Sequence, residues 1–275
     1  RAPFAEAPAM PAVRIRCAHF SGPLDLRGET IPQSLWLNDS RLNNGLELSD
    51  ARVEGNLSLQ GSIAETWPQT LEVPLADLSN DPTSNPDISV EPEITVIEAP
   101  FSGHIGLNWV HVRGNLEMAN AWISEIAAAG ARIDGVFYAN GATFTDLFYA
   151  DEMEVGSALL LWDMPSVAAV HLRGARIGGV VMADRSTFTG PFIADGMEVG
   201  GDLLLWDMPS VAEVRLPGAK IGGVVTADRS TFTGPVNADG MEVGDSLFLR
   251  DMPSVAEVRL LGAKIGGQVA ANRST

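Results

Sequence analysis

The sequence predicts an all-β fold: a right-handed parallel β-helix (solenoid) with one long acidic, proline-rich insertion. Three observations predict it, namely a repeat of 44 residues, a division of that repeat into units of 11, and an apolar pattern of period two within the units. A repeat of fixed length is typical of a stacked array, in which each unit buries its apolar side against its neighbours.

The repeat is clearest in the C-terminal half of the chain. The sequence Asp-Met-Pro-Ser-Val-Ala begins at Asp163 and returns twice at intervals of 44 residues. Each repeat divides into four units whose odd positions are mostly apolar or small. The unit from Ala175 has Ile177, Gly179, Val181 and Ala183 at these positions, and the unit from Met208 has Ser210 at its third position. A period of two is typical of β-strands, so odd positions are expected to point inward.

Charge alternation predicts the length of one coil. In every second unit, position 2 reads Arg132, Glu154, Arg176, Glu198, Lys220, Glu242 and Lys264. Position 11 of these units reads Asp163, Arg185, Asp207, Arg229, Asp251 and Arg273 from the second unit onward. With 22 residues per coil, opposite charges face each other on neighbouring coils, whereas a 44-residue coil would stack like charges. About ten coils at strand spacing would make a rod about 48 Å long.

The chain divides into four segments. Residues 1–17 are expected to form an N-terminal cap or lead-in, and residues 18–61 the first coils. Residues 62–98 form the insertion, which has five prolines, eight acidic residues and no Lys or Arg. Residues 99–275 contain the 44-residue repeats and stop inside one of them, so the chain is expected to be truncated at its C-terminus.

Several Ala-Asp pairs at predicted corners resemble a known repeat family. They lie at Ala183-Asp184, Ala194-Asp195, Ala227-Asp228 and Ala238-Asp239, and the insertion contains Ala76-Asp77-Leu78-Ser79-Asn80. These features resemble the pentapeptide-repeat proteins, which form right-handed four-sided β-helices, although the period here is 11 rather than 5. The resemblance implies a binding or structural role rather than an enzyme. Some members of that family mimic DNA and bind topoisomerases.

Composition excludes several classes of function. The chain carries 18 Lys and Arg against 35 Asp and Glu, a net charge of −17. Direct nucleic-acid binding is not expected, because it needs clustered positive charge. Cys17 is the single cysteine and the four histidines lack ligand spacing, so we expect no internal disulfide, no metal and no cofactor. No apolar run is long enough for a membrane-spanning helix.

Apolar residues at outward positions of one face predict the function. They are Tyr138, Trp162, Met182, Leu204, Trp206 and Phe248. A continuous exposed apolar surface is typical of a protein-interaction site, and aromatic residues and Met are common anchors there. We therefore predict a non-catalytic β-helical scaffold that binds a protein partner through this face, most simply a second copy in a homodimer.

Two alternatives follow from other features. A carbohydrate-binding or carbohydrate-active β-helix could have its site beside the 62–98 insertion, where His104 and His111 lie near Glu65, Asp77 or Glu98 in the sequence. The lesser alternative is an acidic DNA mimic that binds a nucleic-acid enzyme. A duplex as long as the rod would carry about 28 charges, far more than the net charge outside the insertion.

Overall fold

The computed structural model describes residues 12–64 and 103–272. They form a parallel β-solenoid of about ten coils without any helix, so the predicted all-β solenoid is confirmed. Accordingly, these two ranges contain no helix that could cross a membrane. The right-handed sense of the coil stays a prediction.

Two of the three sheets have one strand per coil. Sheet 1 has eleven strands: Ala12–Arg16, Ser34–Asn38, Leu57–Ser58, Leu116–Glu117, Phe137–Tyr138, Leu159–Leu160, Val181–Met182, Leu203–Leu204, Val225–Thr226, Leu247–Phe248 and Val269–Ala270. Sheet 3 has ten strands: Thr30–Ile31, Arg52–Val53, His111–Val112, Arg132–Ile133, Glu154–Val155, Arg176–Ile177, Glu198–Val199, Lys220–Ile221, Glu242–Val243 and Lys264–Ile265.

Sheet 2 covers the two remaining sides of the coil. Its strands on the first side are His19–Phe20, Arg41–Leu42, Ile63–Ala64, Trp122–Ile123, Thr231–Phe232 and Ser254–Val255. Those on the second side are Leu24–Asp25, Leu46–Glu47, His104–Gly106, Glu125–Ala127, Val236–Asn237 and Val258–Arg259. In the middle coils the two sides merge into Thr143–Tyr149, Ser166–His171, Thr187–Ile193 and Ser210–Arg215. Coils with separate strands are therefore four-sided, as the resemblance implies.

The strand register confirms the 22-residue coil. In sheet 3, Arg176 pairs with Glu198 and Glu198 pairs with Lys220. The 11-residue unit corresponds to half a coil, because each coil has two corner residues with left-handed backbone, 11 residues apart. At Asp163 and Gly174, for example, φ is 55° and 64°. Non-glycine residues rarely adopt this conformation, so these corners favour Gly, Asp and Asn.

The core is a continuous column of apolar side chains inside the coils. Phe144, Phe188 and Phe232 are fully buried, and positions 1, 3, 7 and 9 of most units in the middle coils are buried as predicted. Position 5 differs from the prediction, because its residues, such as Gly179 and Gly201, are partly exposed. The inward pattern was wrong at Ser210, which is partly exposed while Val211 is buried. The register with the preceding strand shifts between Phe188 and Pro191, and this β-bulge absorbs one extra residue at the corner before Ser210.

The solenoid extends beyond two predicted boundaries. Ala12–Arg16 pairs with Ser34–Asn38, so regular coils begin inside the predicted 1–17 lead-in. Ile63–Ala64 pairs with Trp122–Ile123, so the first residues of the predicted 62–98 insertion belong to the rod. The rest of the insertion lies outside the described residues.

Candidate interaction surface

The outward residues of sheet 1 form one apolar row. The register aligns Tyr138, Leu160, Met182, Leu204, Thr226 and Phe248 on six successive coils. Each side chain is partly exposed, while the preceding residue of every strand is buried in the core. We call the five apolar members of this row, together with Trp162 and Trp206, the apolar stripe. The structure thus places four of the six predicted interaction residues on sheet 1 and the other two, Trp162 and Trp206, at the corner beside it.

The two tryptophans of the stripe lie at the corner that follows sheet 1. The guanidinium of Arg185 lies between them, 5.6 Å from the ring centroid of Trp162 and 5.8 Å from that of Trp206. Arg185 also donates hydrogen bonds of 2.6 and 3.1 Å to Asp163. Arginine against the ring face gives a cation–π contact, which holds the partly exposed indoles in place.

Asp184 lies between the two tryptophans in the same corner row, and sequence reasoning missed its environment. It is only 2% exposed. One carboxylate oxygen accepts a hydrogen bond of 2.9 Å from Arg185, whereas the other is buried and has no partner. Burial raises the pKa of Asp184 above its ordinary value.

Asp228 is the equivalent residue two coils further along. Its carboxylate accepts hydrogen bonds of 2.8 Å from the backbone N–H and from Nε of Arg250. Burial acts to raise the pKa of Asp228, but the bonds from Arg250 outweigh it and the pKa is lowered. The sequence contains a signal for this difference, since the residue 22 positions after Asp228 is Arg250, whereas Trp206 follows Asp184 at the same spacing.

The predicted charge alternation on sheet 3 is present as ion pairs. We call the outward row from Arg132 to Lys264 the charge ladder. Its N–O distances include 3.1 Å for Arg132–Glu154, 2.8 Å for Glu198–Lys220 and 2.6 Å for Glu242–Lys264. The hydrogen bond from Lys220 lowers the pKa of Glu198. In the corner row, Asp163–Arg185 and Asp207–Arg229 pair in the same way.

The residues proposed for a carbohydrate site are only partly brought together. His104 Nδ1 lies 3.5 Å from Oε2 of Glu125, and His111 Nε2 lies 3.1 Å from Oδ2 of Asp134. Glu65, Asp77 and Glu98 lie outside the described residues. In the two described ranges no group of three His, Cys, Asp or Glu side chains could hold a metal ion.

Two exposed tryptophans near the insertion were not predicted. Trp122 is 47% exposed on sheet 2, one coil after Ile63, and Trp109 is 61% exposed at the corner before sheet 3. Trp122 is at position 2 of its unit, and position 2 points outward, so the sequence contains a signal for its exposure. Trp109 occupies a left-handed corner, where its ring lies over Gly130 of the next coil.

Comparison with known proteins identifies no relative from which a role could be taken. No family model, no curated protein and no solved structure matches this chain.

Proposed function

We propose that this protein is a non-catalytic β-helical scaffold whose apolar stripe binds a second copy of the chain. The observation that supports the proposal best is the row on sheet 1. It has apolar side chains on five of six successive coils, and Thr226 is the single polar member. At strand spacing this row is about 24 Å long.

A second copy is the simplest occupant, because the coil spacing is the same in both molecules. A two-fold axis across the stripe would set one apolar row against another, and such isologous contacts are the commonest in soluble oligomers. Trp162 and Trp206 would lie at the corner edge of the contact, where their large rings add aromatic anchors. Arg185 and Arg229 lie against these rings and would take part in the same edge.

If the apolar stripe holds the dimer together, a negative charge placed in the stripe should separate the two chains. We expect the unchanged chain to have twice its monomer mass of 29.2 kDa in solution. Replacement of both stripe tryptophans, Trp162→Asp with Trp206→Asp, should give monomers, because it places charge in an apolar contact. Light scattering after size exclusion measures the mass. The measurement is made at an ionic strength of about 1 M, where the Debye length is about 3 Å and exposed charges are screened from one another. Any dimer that remains under these conditions is held by apolar contacts.

A matched control makes the same change on other faces of the rod. Trp109→Asp with Trp122→Asp should leave the dimer intact. A second stripe variant, Met182→Lys with Leu204→Glu, places opposite charges on neighbouring coils and should also give monomers. A dimer that survives both stripe variants, or a monomeric unchanged chain at all concentrations, would contradict the proposal.

Carbohydrate binding is the second candidate, and the exposed indole rings of Trp109 and Trp122 favour it. Both lie within a coil of the insertion, and Glu125 adds a partly exposed carboxylate beside His104. Exposed aromatic rings with polar neighbours are typical of small-molecule and glycan sites. A glycan array should then show binding that Trp109→Ala with Trp122→Ala abolishes. Equal signal from this variant, or no signal from the unchanged chain, would exclude the site.

A further inference from the structure

The charge ladder borders a groove that the apolar stripe does not use. The groove runs along sheet 3 over seven coils, from Arg132 to Gly266, and has a volume of about 950 Å³. Charged side chains of the ladder line it and remain well exposed, from 44% for Glu154 to 76% for Lys264. This face is therefore open in the part of the chain that the structure describes.

Glycines two residues after each ladder residue from Glu154 to Lys264 make the groove. A Cβ atom on Gly178 would lie 2.3 Å from the carbonyl oxygen of Gly156, and one on Gly200 would lie 2.2 Å from that of Gly178. The same close approach recurs at Gly222 and Gly244. Since no side chain fits above this row of carbonyls, a recess is left beside the ladder in which a row of foreign side chains can lie.

The charges of the groove restrict what can occupy it. The lining has four positive side chains and four negative ones, Asp134 included, so it has no net charge. The sign changes on every coil from Arg132 to Lys264, about every 4.8 Å. A polyanion or polycation would meet a like charge on every second coil. A suitable partner must present charges that alternate at the same spacing.

The charge ladder itself meets this requirement. A two-fold axis perpendicular to the rod, between the coils of Arg176 and Glu198, sets Arg176 opposite the second copy's Glu198. The same axis pairs opposite charges on the six coils from Arg132 to Glu242, including Glu154 with Lys220 and Arg132 with Glu242. An axis through a coil would pair like charges throughout. Arg176 lies 3.7 and 3.9 Å from its two neighbours within the chain, beyond hydrogen-bond range, so its donors can serve a partner.

We propose that the charge ladder and its glycine groove form a second self-association surface, which binds another copy of this chain in antiparallel orientation. Exposed ion pairs contribute little each and are screened by salt, so this contact is strong only at low ionic strength. The surface is on sheet 3 and is independent of the apolar stripe on sheet 1. Two isologous surfaces on different faces of one molecule give assemblies larger than a dimer, which close where the two axes intersect and grow as open chains where they do not.

Exchange of all the groove charges tests the pairing rule. The variant carries Glu198→Lys, Lys220→Glu and the corresponding reversal at every other charge from Arg132 to Lys264, Asp134 included. Its net charge is unchanged, and the ion pairs within its ladder are kept with reversed polarity. Two reversed ladders are complementary in the same register as two original ones. A reversed and an original ladder are complementary only when one chain is moved by one coil, about 4.8 Å along the rod, and opposite charges then face each other on all seven coils. Both chains also carry Trp162→Asp and Trp206→Asp, so that the stripe does not contribute.

Native mass spectrometry and fluorescence energy transfer between labelled chains measure the mixing at low salt. We expect homodimers of each chain and a mixed dimer at least as strong, in which the distance between the labels is changed by the one-coil shift of about 4.8 Å along the rod. Mixed dimers weaker than both homodimers, mixed dimers with the label distance of the homodimers, or monomers throughout would overturn the proposal. Exchange of one ion pair on sheet 2, Asp195→Arg with Arg215→Asp, is the control and should mix freely with its parent. If the reversed chain does not fold, Arg176→Gln with Glu198→Gln should weaken the homodimer, and unchanged affinity would overturn the proposal.

Discussion

Asp184 and Asp228 show how one neighbouring residue decides the cost of a buried charge. They occupy the same corner position two coils apart, and both are nearly inaccessible to solvent. Arg250 provides a side chain and a backbone N–H for Asp228, whereas Trp206 at the equivalent place provides no bond to Asp184. A buried carboxylate without full pairing favours its neutral form, so the two residues have pKa values shifted in opposite directions.

Replacement of each residue by Asn should change stability with opposite signs. The raised pKa of Asp184 means that its charge destabilises the fold above that pKa, so Asp184→Asn should increase the free energy of unfolding at pH 7. This gain should vanish as the pH falls toward 3.8, the ordinary value. The lowered pKa of Asp228 means that Asp228→Asn should be less stable at pH 7, with the loss disappearing at more acidic pH.

Urea denaturation of both variants from pH 7 down to about pH 3 measures these differences. If both variants changed the free energy of unfolding in the same direction at pH 7, that result would contradict the argument.

At the scale of the strand, sheet 2 differs between two equivalent coils 44 residues apart, one of which has lost a core aromatic residue. Phe188 and Phe192 stack in the core with ring centroids 5.8 Å apart, and Thr187–Ile193 is one strand. In the next repeat Val236 replaces Phe192, and two short strands replace the long one. A void of about 20 Å³ lies beside Val236. Room for about one water molecule remains where the aromatic ring is missing.

A slightly larger side chain at Val236 should therefore stabilise the rod. Val236→Leu adds one methylene to the void and should raise the free energy of unfolding by about 0.8 kcal/mol. Val170→Leu is the matched control, because Val170 is buried between Phe148 and Phe192 of the neighbouring coils and does not line the void. It should lower stability by about 1 kcal/mol or more. Thermal and denaturant unfolding compare the two, and equal effects would show that the void is not accessible to the added group.

At the scale of the whole molecule, each coil contacts only its neighbours, so the rod behaves as a linear array. Hydrogen bonds join residues of adjacent coils about 22 positions apart, as from the N–H of Gly200 to the carbonyl of Ile177. Stability in such an array is a sum over coils and their contacts. A local defect is therefore expected to stay local.

Gly200→Ala tests this locality. Its Cβ would lie 2.2 Å from the carbonyl oxygen of Gly178, so the two coils must separate, at a cost of about 1–3 kcal/mol. Hydrogen exchange should become faster in the coils around residues 178–222 and stay unchanged near Ser34–Asn38. Gly201→Ala is the control, because its nearest contact is 3.1 Å and small shifts relieve it. Faster exchange along the entire rod would show instead that the array unfolds as one unit.

The sequence predicts what repeats in every coil and misses what depends on one coil. Alternating charges at positions 2 and 11 reveal the coil length, because a wrong length would stack like charges. The slip at Ser210 is not predictable from period two, since a bulge changes the pattern inside one strand. The exposure of Trp109 also escapes prediction, because its position in the unit is a corner that other coils fill with Gly, Asp or Glu.

The charge ladder also limits how such a rod can lengthen by gene duplication. Tandem duplication of one 22-residue coil would place Arg beside Arg or Glu beside Glu in the ladder of sheet 3. Duplication of two coils keeps the alternation, because the copied segment begins and ends with opposite signs. A segment of 44 residues is therefore the smallest whose copying leaves every ladder neutral. The stretches 174–217 and 218–261 have this length and are identical at 35 of 44 positions, as copying in pairs of coils would leave them.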